Sequence, residues 1–442
     1  MNDLTQTQDI KIYPEDNLFA RYFVWLGYPG NTEASLVSHR WCAVSMIGAI
    51  LGRQFVLPFG TAALLPNSFI QIIGVPATRK STAIKQAKHL LKNFGYQSFA
   101  PEKISLEKFL MELHELTWGA DDGNDDLSAE QSFDHNIFGS DNPKEAAELL
   151  DIAEMYIASD EFVDFIGRNN MDFISLLGTL WDYAGVYDRK LKHSKAVYIN
   201  NPTINIIAGN THEGFNQAFP PEMQGQGFFS RLLLIHAEPT GRKVPMPVAP
   251  SAEDTESVVS FMRQIKLNCV GNATLTQEAY DLAVQSYMTW KPLEDSRFEH
   301  YSGRRYTHLL KMSLICAAAR LSRTIHSCDL LMANTLLTYA EYMMPKAMGE
   351  FGKGRNSAVV HKILSAINSA EDPIPLKDIY KLVHSDVDKL TVVNDLINEL
   401  QTTGKIQFIP GLGFLPVHKA KTVVDTDLVK PSWLWPEEVK LF

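Results

Sequence analysis

Apolar positions along the chain change period several times, and each change predicts an element. Phe19, Tyr22, Phe23 and Leu26 recur at helical spacing, and Trp41, Val44, Ser45, Gly48 and Ile50 belong to a second helix of mostly small and apolar residues. Residues 54–57 and 62–65, joined around Pro58-Phe59-Gly60, predict a hairpin. Beyond it, apolar runs at 69–73, 155–158, 203–208 and 232–235 read as buried strands of a parallel sheet, since both faces of such a sheet are covered. Helical stretches at 83–91, 104–116 and 172–184 alternate with them, which predicts an α/β core. Residues 239–250 are rich in proline and read as a linker into a helical region with a helix over 309–321. Near the end, three helices at 359–367, 376–383 and 392–400 precede two short strands at 404–409 and 413–415.

These patterns divide the 442 residues into 1–66, 67–240, 241–352, 353–418 and a tail, 419–442, with Trp433 and Trp435 among prolines. The first part reads as a helical collar on the core or, equally, as a plain extension of it. Three helices followed by a two-stranded wing describe a winged helix, a relative of the helix-turn-helix. Its third helix carries Asp388, Lys389, Asp395 and Glu399, so protein contact competes with DNA contact as its role.

Charge and cysteines narrow the class. A net charge of −10 argues against a surface coated with basic groups for duplex DNA. It leaves room for a narrow basic channel, because salt confines such fields to about 10 Å. Cys42, Cys269, Cys316 and Cys328 show neither C-x-x-C nor zinc spacing and read as reduced thiols of a cytoplasmic protein. The N-terminus lacks the pattern of a signal peptide, and no run of about 20 apolar residues predicts a membrane span.

One stretch changes the picture more than composition does. After the run at 69–73 come Gly74-Val75-Pro76-Ala77-Thr78-Arg79-Lys80-Ser81-Thr82 and then a helix. A strand, a tight loop and a helix opening on Lys-Ser/Thr make a phosphate cradle, where loop N–H groups and the helix dipole favour an anion. Lys80 would reach the β- and γ-phosphates of ATP, and Ser81 would ligate Mg²⁺. Arg79 stands where a second glycine is expected, which an ordinary helical backbone at that residue would permit. The alternative is a strand–turn–helix corner with a basic surface.

Three later features fall in order. The run at 155–158 ends in Ser159-Asp160-Glu161, where Asp160 would hold Mg²⁺ through water and Glu161 would polarise the attacking water. The run at 203–208 ends in Asn210, either an orienter of that water or a plain turn. Arg231 precedes the last run, as a phosphate sensor or an arginine finger reaching a neighbour's γ-phosphate. Arg304-Arg305 opens the helix at 309–321. Arg189, Lys190, Lys192, His193 and Lys195 form a basic tip between two short strands, a DNA contact or a solvated turn. The acidic stretch 119–141 reads as a solvated insert in preference to a carboxylate metal site.

In this order, Gly74 to Thr82, Asp160-Glu161, Asn210 and Ser230-Arg231 resemble the Walker A, Walker B, sensor 1 and arginine-finger motifs of AAA+ ATPases. The basic hairpin is similar to the pre-sensor 1 insertion of the superfamily 3 and MCM-like branch, and Arg304 to its sensor 2 arginine. Arg79-Lys80-Ser81-Thr82 after the helix at 39–53 resembles ATPases of bacteriophages and mobile elements, usually labelled replicative helicases. MCM-like proteins also lack glycine before the P-loop lysine. The resemblance implies an AAA+ P-loop NTPase core with a helical collar, a helical lid and a C-terminal winged helix. It implies a ring, of six subunits in such proteins, using ATP and Mg²⁺ to move on single-stranded or forked DNA in a bacterial host cytoplasm. Other replication proteins are implied partners of the winged helix, and Arg304 would act in cis or in trans. A helicase loader or replication initiator, and a nucleotide-binding scaffold without turnover, remain the rival readings.

Overall fold

Asn17 starts the first helix: its side chain accepts the Ala20 N–H, and α1 (Leu18–Leu26) stops at Gly27, whose φ of 61° closes the last turn. Every residue of α2 (Leu36–Leu51) is buried, which is why its sequence shows no polar stripe. It packs on the helix that begins at Lys80, on the central sheet and on the helix that begins at Arg305. β1 (Phe55–Phe59) and β2 (Ala62–Leu64) form the expected antiparallel hairpin, with Leu57 opposite Leu64.

This computed structural model describes residues 4–5, 8–118, 151–190, 196–219, 227–293, 295–349, 357–370, 372–384, 386–387, 389–402 and 405–416. They fall into two compact units, one within residues 1–349 and one within 350–427. The acidic stretch 119–141, the hairpin residues Lys192, His193 and Lys195, Asp388 and the tail lie outside the described residues. No described helix is long and apolar enough to cross a membrane. All four cysteines are free and buried.

The larger unit is mixed α/β around a four-stranded parallel sheet. Its chain order is β3 (Phe69–Ile73), α3 (Lys80–Phe94), α4 (Leu106–Trp118), β4 (Glu154–Ser159), α5 (Phe162–Ile166) and α6 (Met171–Leu180). There follow the hairpin β5 (Val186–Arg189) and β6 (Val197–Asn200), then β7 (Thr203–Asn210), α7 (His212–Ala218) and β8 (Leu232–His236). The strands lie in the order β4–β7–β3–β8. Ile73 pairs with both Asn210 and His236, and Phe69 with Ile206 and Leu232, so the strands end together. Outside β4, Ala100 donates to the Tyr156 carbonyl at 3.0 Å and Tyr156 to the Ser98 carbonyl at 2.8 Å, covering that edge. Fully burying a side chain such as Ile70, Ile72 or Ile207 is worth about 1.5–3 kcal/mol, which makes the sheet the anchor of the unit.

The longer helices that follow in this unit are α8 (Ala252–Asn268), α9 (Gln277–Thr289), α10 (Arg305–Ala319) and α11 (Ser327–Met348), with a short helical turn at Glu299–Ser302 before α10. The helix expected over 309–321 therefore begins four residues earlier, directly after Arg304. α11 packs along β8 as well as on α10, so the lid and the sheet share one core. The N-terminal arm is tied in here too. Asp9 Oδ1 accepts from Thr276 Oγ1 and the Ser327 N–H, each at 2.9 Å, and Tyr13 donates to the Cys316 carbonyl at 2.6 Å. Residues expected as a collar are thus packed within the same unit as the sheet.

The smaller unit contains α12 (Ser357–Ser369), α13 (Leu376–Val383) and α14 (Leu390–Thr402), then an antiparallel pair, β9 (Ile406–Ile409) and β10 (Gly413–Pro416). A bridge from Ile374 to Phe414 ties the hairpin to the helices. Its core is formed by Val359, Ile363, Ile367, Ile379, Val383, Val393, Leu396, Ile397, Leu400, Ile406 and Phe414.

Candidate functional site

In a parallel α/β sheet the C-terminal ends of the strands form the usual ligand edge, and here they gather most of the expected residues. The loop from Gly74 to Arg79 leaves β3 at this edge. Gly74 is required by packing, because a Cβ there would stand 2.2 Å from the Ala237 carbonyl oxygen. Its N–H donates to the Asn210 carbonyl at 3.2 Å, fastening the loop to the neighbouring strand. Thr78 Oγ1 donates to the Val75 carbonyl at 3.0 Å. Ala77 and Arg79 have φ of 66° and 60°. Left-handed residues at alternate positions turn backbone N–H groups towards one concavity, as an anion nest does.

Arg79 therefore departs from the ordinary helical backbone expected of it. It is the N-cap of α3 in a left-handed conformation with ψ of 24°, a region that costs a non-glycine residue roughly 1–2 kcal/mol. Its guanidinium leaves the cradle and pairs with Glu33 at 2.7 Å. The other Glu33 oxygen accepts the Val244 N–H at 2.9 Å, so the loop is braced against the start of the lid linker.

Lys80 is buried and folded back on the cradle. Its ammonium donates to the carbonyls of Gly74 (2.8 Å) and Val75 (3.1 Å) and to Thr78 Oγ1 (3.1 Å). Burial lowers its pKa, and the nearby Glu161 carboxylate opposes that shift. Ser81 and Thr82 form the first turn of α3. Across the edge, Asp160 pairs with Lys85 at 2.5 Å. Glu161 begins α5, and its Oε2 accepts the Thr211 N–H at 3.4 Å. Burial raises the Glu161 carboxyl above its usual range, while Thr211 and Lys80 pull the other way. A carboxyl whose pKa is raised by burial is a stronger proton acceptor when ionised than a solvated one.

Asn210 is wholly buried at the end of β7, with Nδ2 donating to Gln71 Oε1 at 2.6 Å. Its Oδ1 has no partner among the described residues. Gly209, before it, has no room for a side chain, since a Cβ would lie 2.4 Å from the Asp160 carbonyl oxygen. His236 closes the edge on the other side of Ile73. Its ring lies 6.1 Å from His212, and burial is the first cause of its lowered pKa. Nothing in the local sequence of His236 marks it; only the strand register brings it beside the loop.

Arg231 and Arg304 do not join this edge. Arg231 precedes β8 and Arg304 precedes α10, and both guanidinium groups approach the Trp181 ring, at 5.7 and 5.6 Å. Trp181 follows α6 beside the start of β3, where its carbonyl accepts from Asn67 at 2.6 Å. The buried Lys311 lies 3.6 Å from the same ring and donates to Asp182 and to Asn67 Oδ1, each at 2.7 Å. Burial pushes its pKa down to about 8, with Asp182 opposing. Burial also lowers that of Arg231, and the charge of Arg304 adds to the effect. Parallel strands of five residues, roughly 16 Å long, separate these cations from Lys80. That is beyond the reach of an arginine side chain. Arg231 itself is held by a short turn, Phe229–Arg231, in which Ser230 Oγ donates to the Gly227 carbonyl at 2.6 Å and His308 contacts the Ser230 carbonyl at 2.9 Å.

Arg305, next in sequence to Arg304, has another task. It is buried and bonds to Glu341 at 2.8 Å and Asn334 at 2.6 Å. The β5–β6 hairpin starts from the same edge as Trp181, since β6 leads into the start of β7. α4 holds it: Trp118 donates to the Tyr198 carbonyl at 3.0 Å and the Asn200 N–H to Thr117 at 3.1 Å. Arg189 lies at the end of β5, and Lys190 beyond it is exposed. Among the described residues there is no group of three or more His, Cys, Asp or Glu side chains arranged to hold a metal by themselves.

Mg²⁺-bound ATP fits the C-terminal edge on three observations: the loop with left-handed turns at Ala77 and Arg79, the buried ammonium of Lys80, and the unpartnered Oδ1 of Asn210. The chain matches no protein-family model and no curated protein.

Proposed function

We propose that this chain is a subunit of a ring-forming AAA+ ATPase, and that it acts as an ATP-dependent helicase on single-stranded or forked DNA. The observation that carries the reading is the division of the phosphate-loop lysine and the carboxylates from the arginines at opposite ends of one sheet. Lys80, Asp160, Glu161 and Asn210 gather at the C-terminal edge, while Arg231 and Arg304 gather around Trp181 at the other. A subunit so built has a phosphate cradle without an arginine and a pair of arginines without a phosphate. Stacking copies edge to edge completes both.

In this mechanism the loop N–H groups and Lys80 bind the triphosphate of ATP, and Ser81 with Asp160 holds Mg²⁺. Mg²⁺, when held there, would supply neutralisation of the phosphate charge. Asp160 exchanges its pairing with Lys85 for that role. Glu161 takes the proton of the attacking water, and Asn210 orients it. Arg231 and Arg304 of the adjoining copy meet the charge of the transferring phosphoryl group, a contribution worth about 10³-fold or more for one arginine. The hairpin bearing Arg189 and Lys190 points the work at DNA, because several copies would line a channel of single-strand width and bind phosphates through counterion release. The smaller unit, read as a winged helix, serves as a docking module for replication proteins.

The test is complementation. Arg231→Ala and Lys80→Ala chains, each inactive alone, should regain part of the single-strand-stimulated ATPase when mixed rings form, because some interfaces then hold both intact halves. Mixed rings without recovery would overturn the shared site. A recovered rate that single-stranded DNA leaves unchanged would replace the motor by a loader or initiator.

A further inference from the structure

Gln71 is the polar exception in a strand of otherwise apolar residues: Phe69, Ile70, Ile72 and Ile73 are wholly buried around it, and so is Gln71. Burying a carboxamide costs free energy unless its hydrogen bonds are made. Gln71 makes one, accepting from Asn210 Nδ2 at 2.6 Å, and its Nε2 has no partner among the described residues. An apolar residue would suit the sheet better at this position. The amide therefore points to a task carried out through Asn210.

The geometry at Gly214 shows which task. Parallel pairing puts Gln71 in register with Ala208 and Ile73 with Asn210, so Gln71 and Asn210 project from the same face of the sheet. A Cβ at Gly214 would stand 3.0 Å from Glu161 Oε2, 3.1 Å from Thr211 Oγ1 and 3.8 Å from Asn210 Oδ1, which bounds the separation of the carboxylate and carboxamide oxygens at about 7 Å around a point that only a glycine leaves clear. Neither is a donor while Glu161 is ionised, so the group that satisfies both must bring two hydrogens. Water does this with a lone pair left for attack. With Nδ2 tied to Gln71, it is Oδ1 that Asn210 turns towards Glu161.

We infer that Gln71 is a positioning residue: it fixes the carboxamide of Asn210 so that Oδ1 and Glu161 together hold the attacking water. The inference rests on the ATPase reading above and adds to it a residue from the middle of the strand, behind the phosphate loop. It also explains why the strand keeps an incompletely satisfied amide in its core. A side chain retained for packing alone would be improved by an apolar substitute of similar length.

Gln71→Met is such a substitute. Its expected signature is a melting temperature equal to or above the parent's, an unchanged ATP KM, and a kcat lowered about 10-fold, as orientation of one group is lost. A double-mutant cycle then separates positioning from packing. If Gln71 acts through Asn210, Gln71→Met added to Asn210→Ala lowers kcat no further. Gln71→Leu guards against a peculiarity of the methionine side chain and should behave alike. A parental kcat in both single variants, or full additivity with Asn210→Ala, overturns the inference while leaving the ATPase reading intact. A parent without ATP turnover, or with turnover indifferent to Glu161→Gln, overturns both.

Discussion

The two edges of the central sheet are built to opposite rules. At the C-terminal edge the charges are already answered within the chain: Lys80 by the carbonyls of Gly74 and Val75, Asp160 by Lys85, and Glu161 by the Thr211 N–H. At the N-terminal edge Arg231, Arg304 and Lys311 crowd one indole ring, with Asp182 the carboxylate that offsets them. Like charges brought together in this way repel, and the cost is lowered when an anion arrives. On the proposed reading, the first edge holds its charges in internal pairs and the second concentrates positive charge at the face a neighbouring copy would meet.

The largest test of the contrast lies at the C-terminal edge. Glu161→Gln keeps the shape and the Thr211 contact but removes the base. ATP binding should persist while turnover falls by about 10³-fold, read as equilibrium binding against steady-state hydrolysis. Parental hydrolysis in that variant would remove Glu161 from the mechanism. Because burial raises the Glu161 pKa, the active, ionised form is gained as pH rises, and the acidic limb of the rate profile should lie above the usual carboxylate range.

Two neighbouring arginines sharpen the other side. Arg305 and Glu341 form a pair in which both side chains are at most 5% exposed. Arg305→Ala leaves a buried carboxylate with the neutral Tyr301 hydroxyl as its partner and no countercharge from Arg305, and should cost about 3–5 kcal/mol in a denaturation experiment. Arg304→Ala should leave the melting temperature near the parent's yet lower ATPase of the assembled protein by about 10²-fold. Equal losses of stability in the two variants would erase the distinction between a brace and a phosphate contact.

The smallest effect concerns the support of Arg231. His308 is buried between Trp181, Tyr301 and the Ser230 carbonyl, and burial drives its pKa down to about 3. A lowered folded-state pKa means stability that is present above the unfolded value near 6.5 and is lost as pH falls towards 3. Between pH 7 and pH 5 this one histidine should withdraw about 2 kcal/mol. His308→Gln retains a donor for Ser230 without titrating, so its stability should decline less over that interval in paired denaturation curves. An identical decline would place the acid sensitivity elsewhere, with the buried His39, whose pKa burial also lowers to about 3, as the next group to replace.

Much of the α/β core was legible because its signals are local. Continuous apolar runs are best satisfied by burial on both faces, so the four strands and their order along the chain follow from the runs at 69–73, 155–158, 203–208 and 232–235, the last three of which the structure extends by one or two residues. The strand–loop–helix after residue 69 is local in the same sense, as is the hairpin strand pair within 186–200, where Arg189 meets Val197 and Val186 meets Asn200. The bend at Arg79 was not legible: its left-handed backbone is imposed by the turn into α3 and braced by Glu33, 46 residues upstream.

Sequence by itself determined which residues are candidates for chemistry and which runs must be buried, since both depend on side-chain type and short spacing. Only the tertiary structure decided the company each residue keeps. It put Arg304 beside Arg231 while sending Arg305 into a buried pair with Glu341, although the two arginines are adjacent in the chain. It brought His236 to the phosphate edge and set Gln71 against Asn210, a contact between residues 139 apart. The physical reason is that strand register and helix rotation fix directions in space, and a one-residue change of either reverses what a side chain meets.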